Sequence, residues 1–139
     1  MKNLLNPKKL MTISIVVTGF LAASFIGALF WNKSAGVATY EEYLNVIKEP
    51  YQLLYSNLQA LPEHPTEAAV YRIYDQFDRD VHQVKISSHA EKKVEENYKQ
   101  LIELPETFKE DYDRSAYKYS TLIGQTSHVK MILEYLDGK

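Results

Sequence analysis

The apolar residues of this chain form one long uninterrupted block, which is followed by a helical repeat. From Leu10 to Trp31 there are 22 residues without a charge. After Lys33 the pattern changes, and apolar residues recur alternately every four and three positions, most regularly from Tyr40 to Leu61. This spacing is typical of long α-helices that pack side by side. No stretch of useful length alternates as a strand would, so the sequence predicts an all-α protein with coiled-coil-like seams.

The uncharged block is long enough to cross a membrane. A helix of 22 residues rises about 33 Å, and the hydrocarbon core of a bilayer is about 30 Å thick. The preceding segment, MKNLLNPKK, carries three lysines, and positive charge of this kind stays in the cytoplasm. We therefore expect a cytoplasmic tail at 1–9, a transmembrane helix (a signal anchor) at 10–31, a flexible hinge at 32–38 and an extracytoplasmic domain at 39–139. The bilayer would be the partner of residues 10–31.

A second interpretation makes the same block a signal peptide. The stretch SAGVA, Ser34 to Ala38, places small residues at Gly36 and Ala38, which fit the −3 and −1 positions of a signal peptidase site. Cleavage after Ala38 would release a secreted protein that begins at Thr39. Signal peptides usually have apolar regions of about 7–15 residues, so the length of the block favours a retained anchor.

Small residues form a stripe inside the predicted transmembrane helix. Gly19, Ala23 and Gly27 follow one another at intervals of four. Such a stripe lets two helices approach closely in lipid, which favours self-association or docking on another membrane helix. Chance is the alternative, because small residues are frequent in spanning helices.

Helix boundaries after residue 38 are indicated by capping signals. A hydroxyl residue followed three positions later by glutamate occurs at Thr39, Ser88 and Thr107, and Pro65 suits a first helical position. The predicted helices are 40–61, 66–87, 89–104 and 108–137, arranged as an antiparallel four-helix bundle. A three-helix bundle results if the middle pair is continuous. Pro50 lies inside the first helix, and because the apolar phase continues across it, we expect a kink rather than a break.

Charge and cysteine content exclude several classes of function. The residues after Thr39 hold 12 basic and 18 acidic side chains, a net charge of −6. This charge argues against nucleic acid and against anionic lipid headgroups as partners. The chain has no cysteine, so it forms no disulfide, thiolate metal site or lipoprotein linkage.

The sequence offers little that suggests catalysis or metal binding. Ser88 and His89 adjoin each other, but neighbours on a helix do not face one another, and capping already explains Ser88. Asp75, Asp78 and His82 share a helix face, yet the Glu-x-x-His pairs of bundle metal sites are absent, and a solvated face explains them. We expect no enzyme, metal or cofactor. A hydrolase would need a buried, mutually hydrogen-bonded set that includes a histidine.

Tyrosine is the unusual component of the composition, because all 11 tyrosines follow Gly36. Some lie on the predicted seams, as Tyr119 does on a seam that runs from Phe108 to Leu136, and these are expected to be core residues. The others are candidates for partner binding, since an exposed ring supplies contact area and its hydroxyl supplies direction. These off-seam candidates are Tyr43, Tyr55, Tyr71, Tyr117 and Tyr135.

These features together predict a single-pass membrane protein that displays a helical bundle outside the cytoplasm. It would act through protein–protein interaction or self-association, as a small subunit or adaptor of a cell-envelope complex. The alternative is a secreted helical protein that binds a small ligand, metal or glycan between its helices.

Overall fold

Four α-helices make up most of residues 36–138, which are the residues that the computed structural model describes. Helix α1 is Tyr40–Gln59, α2 is Glu67–His82, α3 is Lys92–Arg114 and α4 is Lys118–Asp137. The predicted helical bundle is confirmed, with four helices rather than three. The predicted transmembrane helix at 10–31, with Gly19, Ala23 and Gly27, lies outside the described residues. Within residues 36–138, no helix combines the length and the apolar content that a membrane crossing requires.

Consecutive helices run antiparallel and pack in a ring. Between α2 and α3 the rings of Tyr71 and Tyr112 are in contact, as are those of Tyr74 and Phe108, so residue numbers rise along one helix and fall along the other. Helix α1 packs on α2 and α4, and α3 packs on α2 and, less extensively, on α4. The core lies along the axis that the four helices surround.

The first helix follows the sequence pattern closely. The Thr39 side chain accepts a hydrogen bond from the Glu42 backbone N–H at 3.2 Å, and the Glu42 carboxylate accepts from the Thr39 N–H. This capping box was predicted and is confirmed. Helix α1 also continues through Pro50, which is buried. Burial of the helix face around Pro50 offsets the one backbone hydrogen bond that proline removes.

The predicted break at LPET, residues 104–107, is wrong. Helix α3 continues through Pro105 to Arg114, and Thr107 lies in mid-helix, where its hydroxyl donates to the Glu103 carbonyl at 3.0 Å. Pro105 shares a buried face with Leu101 and Phe108, so continuing the helix keeps this face in the core. The chain turns instead at residues 115–117, where the Ser115 hydroxyl accepts from the Tyr117 N–H at 3.0 Å.

The residues predicted to start two of the helices, Pro65 and Ser88, do not have these roles. Helix α2 begins after Thr66, whose hydroxyl accepts from the Ala69 N–H at 3.2 Å, so Pro65 lies just outside the helix. Helix α3 begins after Glu91 without a side-chain cap, and Ser88 is in the preceding loop. The Glu91 carboxylate is used elsewhere, because it accepts a hydrogen bond from the backbone N–H that begins α1, that of Tyr40 at 3.0 Å.

The entry segment, residues 36–39, is tied to the loop between α2 and α3. The Val37 N–H donates to the Lys85 carbonyl and the Ser87 N–H donates to the Val37 carbonyl, both at 2.8 Å. The Glu91 N–H donates to the Ala38 carbonyl at 2.9 Å, and the Val37 side chain is 7% exposed within the core. The last residues of the predicted hinge at 32–38 are therefore part of the folded domain and not a free joint.

Candidate functional site

Helix α4 is apolar on two opposite sides, unlike the other three helices. Its inner side buries Leu122, Val129 and Leu136 in the core. Its outer side carries a row of residues at intervals of four, which we call the α4 stripe: Tyr119, Ile123, Ser127, Met131 and Tyr135. The four large side chains of the stripe expose 47 to 60% of their surface. An ordinary surface helix has one apolar side, which faces the core, so the second apolar side of α4 is a candidate docking surface.

The α4 stripe is an electrically neutral surface on an acidic domain. No charged residue occurs between Tyr119 and Val129. Farther along the helix, Lys130 forms an i, i+4 ion pair with Glu134 at 3.8 Å. Helix α4 as a whole holds two lysines, one glutamate and one aspartate, so its net charge is zero. The −6 charge of the residues after Thr39 is carried by the rest of the domain.

A cleft of about 300 Å³ opens between α1, α3 and α4. Aliphatic side chains from all three helices form part of its wall, and Asn97, Gln100 and His128 contribute polar groups. Of the described residues that line it, none is Asp, Glu, Lys or Arg. Its volume is at the lower end of the range for small-molecule sites, which is about 300–1,000 Å³. Its tyrosines are Tyr40, Tyr43, Tyr51 and Tyr135.

Burial favours the neutral form of three tyrosine hydroxyls in this cleft, those of Tyr40, Tyr43 and Tyr51, because it raises their pKa. Burial raises the pKa of Tyr51 to about 12. Burial also raises the pKa of Tyr43, with smaller contributions from neighbouring tyrosines, and that of Tyr40, where the Tyr135 hydroxyl adds to the effect. Neutral hydroxyls, amides and aliphatic walls suit an uncharged ligand with an apolar body and a few hydrogen-bonding groups. A carbohydrate ring or a small aromatic compound has this chemistry.

The groups considered for metal binding or catalysis lie at the surface. The His82 Nδ1 atom is 3.2 Å from the Asp78 carboxylate and 2.8 Å from the Asp78 carbonyl, and Asp75 is exposed. Within residues 36–138 no three His, Asp or Glu side chains converge on a position suited to a metal ion. His89 and His128 are also exposed.

The five off-seam tyrosines are dispersed over the fold. Tyr43 is 2% exposed and lies at the inner wall of the cleft, whereas Tyr135 lies at its rim. The Tyr55 hydroxyl accepts from the Gln59 side chain at 2.7 Å, on the same helix. The Tyr71 hydroxyl is bonded to the carboxylates of α2 and α3, and Tyr117 is 78% exposed at the turn before α4. These five rings do not form one patch, and only Tyr135 belongs to the α4 stripe.

Four of the five stripe residues were missed by the sequence analysis. The predicted seam ran from Phe108 to Leu136 in one phase, which placed Tyr119 in the core. Leu122, Val129 and Leu136 of that seam are buried as predicted, but Tyr119, in the first turn of α4, faces outward, and Gln125 is buried as well. A signal for the stripe was present, because the large apolar residues Ile123, Met131 and Tyr135 recur at multiples of four positions outside the predicted seam.

Comparison with known proteins adds no relative: no protein-family model, curated protein or solved structure matches this chain. The surfaces and contacts of the described residues are therefore what supports a function.

Proposed function

We propose that this protein is a single-pass membrane protein whose helical bundle binds a protein partner outside the cytoplasm. Residues 1–9 remain in the cytoplasm, and residues 10–31 span the bilayer with the stripe of Gly19, Ala23 and Gly27 available for helix packing. The bundle projects from the outer surface of the membrane. In this arrangement the protein acts by binding and not by catalysis, as a small subunit or adaptor of an envelope complex.

The observation that carries the binding role is the α4 stripe. Half-exposed large apolar side chains in a continuous row are uncommon on monomeric soluble proteins, and contiguous apolar patches of several hundred Å² mark interaction sites. The stripe lies on a regular helix whose inner side is fixed in the core by Leu122, Val129 and Leu136. A partner would therefore meet a preformed surface and would order little of the chain on binding.

The entry segment supports a retained anchor over cleavage. Signal peptidase cleavage after Ala38 would remove Gly36, Val37 and Ala38 from the domain. Val37 would then be lost from the core, together with the backbone hydrogen bonds that Lys85, Ser87 and Glu91 form with residues 37–38. The residues that cleavage would remove contribute to the folded domain, and this favours retention of the anchor.

The tyrosine-lined cleft favours a second candidate function, which is binding of a small uncharged ligand. Its volume of about 300 Å³ and its aliphatic and tyrosine lining suit such a ligand. This function is compatible with membrane anchoring, and it is also the function expected of a released bundle.

A single charge placed in the α4 stripe tests the binding role. In the full chain extracted with mild detergent, Ile123→Glu is expected to convert a larger complex to the monomer, because the partner would have to bury the new carboxylate. The size is measured by native electrophoresis. Gln52→Glu is the matched control, since it adds the same charge at an exposed position of α1.

The control is expected to leave the complex intact, and both variants should retain wild-type helical circular dichroism because both positions are exposed. A wild-type complex of unchanged size in Ile123→Glu would contradict a binding role for the stripe, as would a wild-type chain that is already monomeric.

A further inference from the structure

We infer that the α4 stripe binds a second copy of this chain, so that two bundles pair about a two-fold axis near Gly124 and Ser127. This inference rests on the proposed function and names the partner of the same surface. It follows from the order of side-chain sizes along the stripe, from the groove beside it and from the charge of α4.

The side chains of the stripe are arranged symmetrically about Ser127. The aromatic residues Tyr119 and Tyr135 lie at the two ends. The aliphatic residues Ile123 and Met131 lie next to them, and the small Ser127 is at the centre. A two-fold interface uses the same surface on both copies, so each surface must complement itself. An axis close to Ser127 brings aromatic residues of the two copies together at the ends and aliphatic residues together inside them.

A shallow groove lies beside the first half of the stripe on the same helix, before the adjacent row reaches His128. The adjacent row of positions at intervals of four contains Ser120 and Gly124, both small and exposed. A Cβ atom built at Gly124 would have no neighbouring atom within 4 Å, so the space beside the stripe is open. The stripe of one copy fits into this groove of the other, which is the packing of i±4 ridges that gives crossing angles near −50°. The helices then approach most closely at Gly124 and Ser127.

Charge favours a second copy over a basic or acidic partner. Helix α4 carries no net charge, whereas the rest of the residues after Thr39 carries −6. Two α4 surfaces meet without like-charge repulsion, and the acidic parts of both domains remain in solvent. A strongly charged protein would find no complementary charge along the stripe, because none of its five residues is charged.

The apolar area is sufficient for the centre of such an interface. A stable interface buries about 800 Å² on each partner, with an apolar centre and a polar rim. The four large side chains of the stripe, each about half exposed, supply several hundred Å² of this area. Lys130 and Glu134, which flank the stripe, would lie at the polar rim.

A single cysteine tests the pairing directly, because the natural chain has none. In the full chain in native membranes, Ser127→Cys is expected to form a disulfide-linked dimer under mild oxidation, since the two Cα atoms near the axis come within the 4.4–6.8 Å that a disulfide spans. Ser56→Cys is the matched control, an exposed helical serine on α1. Non-reducing electrophoresis and mass spectrometry of the linked peptide identify the product.

The expected result is a main species at twice the monomer mass for Ser127→Cys, no such species for Ser56→Cys, and loss of the dimer when Met131→Glu is added to Ser127→Cys. Equal linkage of both cysteines, or none at Ser127, would overturn the pairing. If Ile123→Glu still dissolves a native complex when Ser127→Cys gives no dimer, the stripe binds a different protein and the proposed binding role stands. If neither effect occurs, both proposals fail.

Discussion

Replacing Gln125 with leucine is expected to lower the free energy of unfolding by about 1–3 kcal/mol, because it leaves a buried hydroxyl without a partner. Gln125 is 6% exposed and joins three helices. Its side-chain oxygen accepts from the Tyr74 hydroxyl of α2, and its side-chain nitrogen donates to the Phe108 carbonyl of α3 at 2.8 Å. Leucine has a similar volume, so the decrease in the free energy of unfolding reports the lost hydrogen bonds and not a change in packing.

Urea unfolding followed by circular dichroism measures this loss, and Tyr74→Phe completes the comparison. The double variant removes both partners of the hydrogen bond, so it is expected to be less destabilised than the sum of the two single variants. Additive effects would contradict the bond between Tyr74 and Gln125.

Alanine at Gly36 is expected to destabilise the bundle by about 2 kcal/mol, because the backbone there is left-handed and the new Cβ has no space. Gly36 has a φ of +72°, and a Cβ at this position would lie 2.9 Å from the Ser87 nitrogen and 3.0 Å from the Lys85 oxygen. Both atoms belong to the backbone that pairs with Val37, so relief of the contact requires that pairing to move.

A second glycine provides a control at which the same substitution is expected to have the opposite effect on stability. Gly124 is exposed in α4 with open space around it, so Gly124→Ala is expected to stabilise the helix by up to about 1 kcal/mol. Urea unfolding of the full chain compares the two variants. If Gly36→Ala left the stability unchanged, the entry segment would not be an integral part of the folded domain, and the structural reason for preferring a retained anchor would be lost.

Capping signals and apolar spacing predicted the helices correctly where these local signals and the packing of the bundle favour the same structure. The Thr39 capping box and the apolar repeat of α1 indicate the same helix, and both are present. Local and tertiary preferences disagree at Pro105. The local rule for proline predicts a break there, but the buried face that Pro105 shares with Leu101 and Phe108 keeps the helix intact. The Ser88 signal failed because Glu91, its expected capping partner, bonds to the start of α1 across 51 residues.

The candidate surface was harder to predict because it depends on a turn that has no strong sequence signal. Residues 115–117 are Ser, Ala and Tyr, with neither glycine nor proline. Because α4 begins just after this turn, Tyr119 lies in its first turn and is exposed, although Leu122, Val129 and Leu136 keep the predicted phase and Gln125 is buried beside them. The cleft depends on how α1, α3 and α4 are spaced, which no single segment specifies.

The measurement that tests membrane display most directly is the intact mass of the protein in the membrane and medium fractions of cells that express it. We expect the uncleaved chain, which retains residues 1–38, in the membrane fraction, because residues 10–31 would anchor it and residues 36–38 belong to the folded bundle. A species in the medium that begins at Thr39 would contradict the anchor, and the cleft would then become the site to examine with uncharged ligands.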